Sequence, residues 1–218
     1  MTSETQNPPM PAPPLPQLKS DLLQQVQSLE LEEALLPSQH PAIDQLIHDL
    51  EARNPIAQPL REAHWPMLLG TWELVYASQG TVVTRRINSP LPLSIHIQRV
   101  WQRLSRAEGG RALIATENGA VLALPVVGEL TATAQGTWQP YEEGESANVS
   151  FGAVTLQATR LLGLAGLHLP KINLPVLEFL RREALWITSY LDDDLRIGRG
   201  ATGNLFVFCR QPRSLGTD

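Results

Sequence analysis

The sequence has 218 residues, of which 43% are hydrophobic and 18% charged, and a formal net charge of −5. That length suits one domain plus an extension and can bury a real core. Residues 1–59 hold 2 basic and 8 acidic side chains and residues 60–218 hold 15 and 14, so the acidity is N-terminal and the near-neutral body has no electrostatic reason to bind nucleic acid.

The single cysteine, Cys209, excludes an internal disulfide and favours a reducing compartment. No apolar run reaches bilayer-spanning length. The N-terminus has neither the apolar core of a secretory signal nor the Arg-rich character of a transit peptide. These features predict a cytoplasmic chain.

Residues 1–17 carry six prolines, Pro8 to Pro16, and read as a disordered arm. Residues 18–60 read as a helical extension. Ser20 caps a helix with Leu22, Leu23, Val26 and Leu29 at helical spacing, ended by Pro37. A second helix runs over Ala42–Arg53, with Ile43, Leu46, Ile47 and Leu50 on one face and Asn54-Pro55 as its stop. These stripes must bury on something. Covering the following domain is one solution, and lying on a membrane is another; their polar faces carry Asp and Glu rather than the cations that anionic lipid favours.

Residues 61–212 read as one β domain. Trp72, Leu74 and Tyr76 alternate with Thr71 and Glu73 in Gly70–Ser78. In Gly128–Trp138, Leu130, Ala132, Ala134 and Trp138 alternate with polar residues. Further strands are expected over Thr81–Asn88, Ile95–Leu104, Ala112–Thr116, Ala147–Thr159, Glu183–Tyr190, Leu195–Arg199 and Asn204–Arg210. The turn signals between them are Glu108-Gly109-Gly110, Glu117-Asn118-Gly119, Glu142-Glu143-Gly144 and Thr202-Gly203. Eight or nine short strands with no long helix between them predict a mainly β fold, an antiparallel up-and-down barrel or a sandwich. Small residues such as Ala132, Ala134, Gly136 and Ala158 leave room for a ligand if they point inward, or admit bulky tryptophans. Residues 161–180 are apolar but broken by Gly163, Gly166, Pro170 and Pro175. They read as a lid over the barrel mouth, with a short helix near Val176–Arg182.

Gly198, Gly200 and Gly203 satisfy G-x-G-x-x-G, but a strand follows where a nucleotide fold needs a helix, so they are turn positions. Asp192-Asp193-Asp194 lacks the alternation of a calcium loop, and Arg196 follows it. The acidic residues are expected to pair with Arg196 or Arg199 at a turn. The five histidines lack zinc spacing, so no metal is expected. Cys209 sits in an apolar strand and reads as a packed thiol. Arg99, Trp101 and Arg103 share a strand face that reads first as a solvated exterior, then as a contact for anionic lipid headgroups, and third as an RNA-binding face.

Leu69-Gly-Thr-Trp72-Glu-Leu74-Val-Tyr76-Ala-Ser78 resembles the opening strand of the plastid lipid-associated proteins, also called fibrillins or plastoglobulins. Tyr190-Leu-Asp192, Leu195-Arg196-Ile197, Arg199-Gly200, Gly203 and Phe206-Val207 resemble that family's C-terminal signature. The resemblance implies a lipocalin-like barrel that associates with thylakoids or lipid bodies and binds lipids, quinones or carotenoids. It implies a cyanobacterial-type member, peripheral to the thylakoid membrane, and supplies no catalytic residue.

The expected function is a non-catalytic carrier. Trp72, Tyr76, Trp101, Trp186, Tyr190, Phe206 and Phe208 would shelter an apolar ligand, and Asp192, Asp194, Arg196 and Arg199 are the candidate polar contacts, with Arg196 or Asp192 as anchor. The alternatives are a pigment-acting enzyme resembling bilin lyases, and a scaffold that docks quinone-synthesis enzymes through the N-terminal helices or the Pro-rich arm. In the last hairpin, Leu205, Val207 and Cys209 share one face and Phe206 and Phe208 the other. One face must line the interior and the other be covered by the helices.

Overall fold

The computed structural model describes residues 13–79, 96–108, 113–124, 128–161, 164–165, 171–174 and 184–212. The expected strand Thr81–Asn88 and the helix near Val176–Arg182 lie outside them. Helix α1 spans Leu15–Gln27 and α3 spans Pro41–Glu51; between them lies a single turn, α2, Leu31–Leu35. α1 starts at Leu15 rather than at Ser20. Pro14 stands at its N-cap and a further proline, Pro16, fits its first turn, where no backbone donor is needed. A short 3₁₀ turn, Glu62–His64, and α4, Trp65–Leu68, lead into the sheet.

The strands are β1 (Gly70–Ala77), β2 (His96–Arg106), β3 (Ile114–Leu124), β4 (Gly128–Pro140), β5 (Ser146–Leu161), β6 (Leu164–Ala165), β7 (Ile172–Leu174), β8 (Ala184–Leu191), β9 (Leu195–Gly200) and β10 (Leu205–Arg210). They run in the order β4-β3-β2-β1-β10-β9-β8-β5, and β4 also pairs with β5. Those eight strands therefore form a closed antiparallel ring with no free edge between them. Short β6 and β7 fold back onto the far half of β5.

Two apolar layers hold the molecule together. Inside the ring lie Trp72, Leu74, Leu104, Ile114, Trp138, Val149, Leu191 and Phe208. Outside, α1 and α3 press Leu18, Leu22, Val26, Ile43, Ile47 and Leu50 onto Tyr76, Tyr190, Leu195, Ile197, Leu205 and Val207. Both expected helices thus cover the barrel. The last hairpin divides as its period of two requires, with Phe206 and Phe208 on the interior side and Leu205, Val207 and Cys209 on the helical side.

Glu117-Asn118-Gly119 is not a turn. It runs through the middle of β3, where Gly119 pairs with Trp101 and Asn118 with Gln102. A Cβ on Gly119 would strike the Trp101 ring, so the glycine is there for the close approach of that ring. The chain turns at Glu142–Gly144, after β4, while the expected turn at Gly109-Gly110 lies outside the described residues.

Candidate functional site

Register fixes which side chains face the interior. Leu104, Gln102 and Val100 on β2 oppose Thr116, Asn118 and Ala120 on β3. Those oppose Gly136, Ala134 and Ala132 on β4, which in turn oppose Phe151, Val154 and Leu156 on β5. Ala132, Ala134 and Ala158 therefore share the face of the buried core residues, and the room that their small side chains leave opens inward, whereas the space beside Gly136 is filled by the Ser150 carbonyl and the Phe151 ring. Ala115, Ala123 and Ala153 fall on the opposite face.

The wall is uneven in height. β4 has 13 residues and β5 has 16, whereas β9 and β10 have 6 each. At about 3.4 Å per residue, β4 is roughly 24 Å longer than the short strands. The inner face of this tall wall is an apolar cradle in which Ala120, Leu122, Leu130, Ala132, Ala134 and Leu156 are all half-buried. Its outer face is polar, and the hydroxyls of Thr133 and Thr155 meet there at 2.5 Å.

Below the cradle is a floor of aromatic rings around one cation. The Trp186 ring centroid lies 5.5 Å from that of Trp138 and 5.4 Å from that of Phe206. Gly198 makes room for Trp186, whose ring an added Cβ would strike. Arg196 is 0% exposed. Its guanidinium carbon lies 4.4 Å from the Phe208 ring centroid, 5.0 Å from that of Trp72 and 5.7 Å from that of Trp138. Nη2 donates to Gln102 Oε1 at 2.5 Å, and Gln102 Nε2 donates to Asn118 Oδ1 at 2.8 Å. Burial first, and then the nearby Arg210 cation, pull the Arg196 pKa down to about 9.

Trp72 also stacks with Arg210, at 4.1 Å, and donates its indole N–H to the Leu68 carbonyl at 2.8 Å. Arg210 donates to the Leu69 carbonyl at 2.9 Å, the Asp193 carbonyl at 2.5 Å and the Met67 carbonyl. These contacts stitch the start of β1 to the end of β10.

Of the side chains expected to contact a ligand, Trp72, Trp186, Arg196, Phe206 and Phe208 meet in this floor. The remaining six lie elsewhere. A bulge between Leu74 and Tyr76 turns Tyr76 outward, and one between Thr188 and Tyr190 does the same for Tyr190. Each phenol finds a carboxylate on the outer side, Asp44 at 3.1 Å and Asp192 at 2.8 Å. Burial first, and then these carboxylates, hold both phenols well above the usual tyrosine range.

Asp192 accepts from the backbone N–H of Asp194 and Leu195, at 3.0 and 2.7 Å, and forms an ion pair with Lys19 at 2.9 Å; Asp194 also pairs with Lys19. Arg199 pairs with Glu51 of α3, which holds its pKa above the ordinary value. The expected pairing of the acidic turn with Arg196 or Arg199 is therefore replaced by ties to the helices. Trp101 covers Gly119 on the outside beside Arg99, whose guanidinium carbon lies 5.3 Å from its ring centroid. Gln102, Asn118, Thr116 and Trp138 were not expected at the site. The period-two spacing of Gln102 and Leu104 around outward Arg103 is the signal that marks the first of them as inward.

An open hollow of about 460 Å³ lies outside the ring, lined by Pro37, Ser38, Gln39, Pro41, Asp44, Ser78 and Gln79. Among the described residues no group of three or more His, Cys, Asp or Glu side chains is placed to hold a metal ion, and no helix is long and apolar enough to cross a membrane.

The PAP_fibrillin family model matches residues 16–162 and 165–209. The probable plastid-lipid-associated protein 5, chloroplastic, of Arabidopsis thaliana is 27% identical over 195 residues, covering 88% of this chain and 68% of that protein. No solved structure matches the chain. The family match begins in α1 and ends in β10, so it takes in the helical cover, the ring and the floor together: this chain belongs to the PAP_fibrillin family.

Proposed function

We propose that this protein is a non-catalytic carrier of an apolar ligand of the lipid, quinone or carotenoid class, working at the periphery of photosynthetic membranes. The observation that carries this reading is the cradle. Small and aliphatic residues on the inner face of β3–β5 leave half-buried apolar surface above an aromatic floor. Removing apolar surface from water gives about 25 cal/mol per Å², so a long chain laid along such a wall gains several kcal/mol. The plastid-lipid association in the relative's name supports the same reading.

Organic extraction of the purified protein followed by mass spectrometry tests it. A stoichiometric lipid, quinone or carotenoid is expected. A protein that is recovered empty and takes up none of these ligands in solution rules the carrier out.

A further inference from the structure

Three buried hydrogen-bond donors in the floor have no acceptor among the described residues: Nε and Nη1 of Arg196, and Nε1 of Trp138. They belong to one layer, with the guanidinium carbon 5.7 Å from the Trp138 ring centroid. The neighbouring amides do not relieve them. Gln102 spends its oxygen on Arg196 Nη2, and Asn118 spends its own on Gln102 Nε2 and on the Thr116 hydroxyl, at 2.8 and 3.2 Å. The rings around the guanidinium offer quadrupoles rather than lone pairs. No carboxylate among the described residues pairs with Arg196. A buried cation with orphaned donors is costly unless an anion completes it.

The register places this donor set at the foot of the cradle. Asn118 lies opposite Ala134, and Ala120 and Ala132 follow one step up the same inner face. Resting on the carrier reading, we propose that the ligand is an amphiphile with a carboxylate head, bound head-down, its carboxylate at Arg196 and Trp138 and its chain rising along β3–β5. The floor supplies charge-assisted donors and the wall supplies apolar burial.

Equilibrium titration of the full chain with palmitate and with hexadecanol, which share tail length and differ in head charge, separates the two parts. Palmitate is expected to bind at least tenfold tighter. In Arg196→Met that preference falls to near one. The empty variant is expected to melt no lower than the native protein, because an apolar side chain replaces an unpaired buried cation. Trp138→Phe, which keeps an aromatic but smaller ring and deletes one donor, weakens palmitate several-fold more than hexadecanol and gives a second route should Arg196→Met fail to fold. Equal binding of the two probes, or a palmitate preference that survives Arg196→Met, overturns the head-down assignment while the carrier stands. Binding of neither probe, nor of any quinone or carotenoid, overturns both.

Discussion

Trp101 and Gly119 form a lock that looks like two unrelated residues in the sequence. Asn-Gly is the commonest hairpin signal, so Glu117-Asn118-Gly119 reads as a turn. The strand continues because a ring 18 positions earlier lies over the missing side chain. Gly119→Ala is expected to cost about 1–3 kcal/mol by overpacking. In a Trp101→Ala background the cost should drop below about 1 kcal/mol, since the ring is gone. Urea unfolding of the four proteins checks this, and additive costs would show that the ring does not set the requirement.

At the same scale, Cys209 packs on the helical side. Burial, the largest cause, pushes its thiol up to about 11; Glu73 and Asp192 push the same way, while Lys19 opposes them. Against an ordinary value of about 9, the thiolate fraction at pH 8 falls roughly 100-fold. Iodoacetamide labelling should therefore be about two orders of magnitude slower in the native chain than in urea, and should rise about tenfold per pH unit until near pH 11. Equal native and unfolded rates at pH 8 would show that the thiol is not packed.

Elements were legible where their period was undisturbed. Phe206 and Phe208 separate from Leu205 and Val207 because a strand has period two, and the division survives intact. The same rule fails for Tyr76 and Tyr190, since a one-residue bulge reverses a face and leaves no mark in composition. The ties of Lys19 to Asp192 and of Glu51 to Arg199 join residues far apart in sequence, and no local pattern announces them. The helical cover as a whole was legible from its apolar stripes. Its contribution is tested by Leu22→Ala in α1, a fully buried position, which should destabilise the protein by about 2–4 kcal/mol. A loss below about 0.5 kcal/mol in urea would show that the site collapses freely or that α1 packs only weakly on the barrel.

On the scale of the whole molecule, the ring divides into a short wall backed by helices and a tall wall whose inner face is half-buried. Sequence alone left the small residues of that face undecided, because inward direction depends on register with three neighbouring strands. Ala132 is the position where bulk should tell. Ala132→Trp is expected to fill the cradle and cut recovered ligand at least fivefold. Because the side chain enters half-buried space rather than a closed core, the melting temperature should move by only a few degrees. A bulky residue that leaves ligand recovery unchanged would place the ligand elsewhere.

The stitching of β1 to β10 through Arg210 bears on when the cradle becomes a container. β10 is the last described strand and β1 the first, so the seam joins the most distant parts of the ring. Contacts of such sequence separation form late, because loop closure must precede them. The local meander β2–β5 can stand as an open sheet before the seam is sewn, and a greasy guest can be wrapped by the chain rather than threaded into a finished vessel. Refolding in the presence of ligand should accordingly load the protein faster than incubation of the native protein with the same ligand, and matching rates would show that the mouth admits guests after closure.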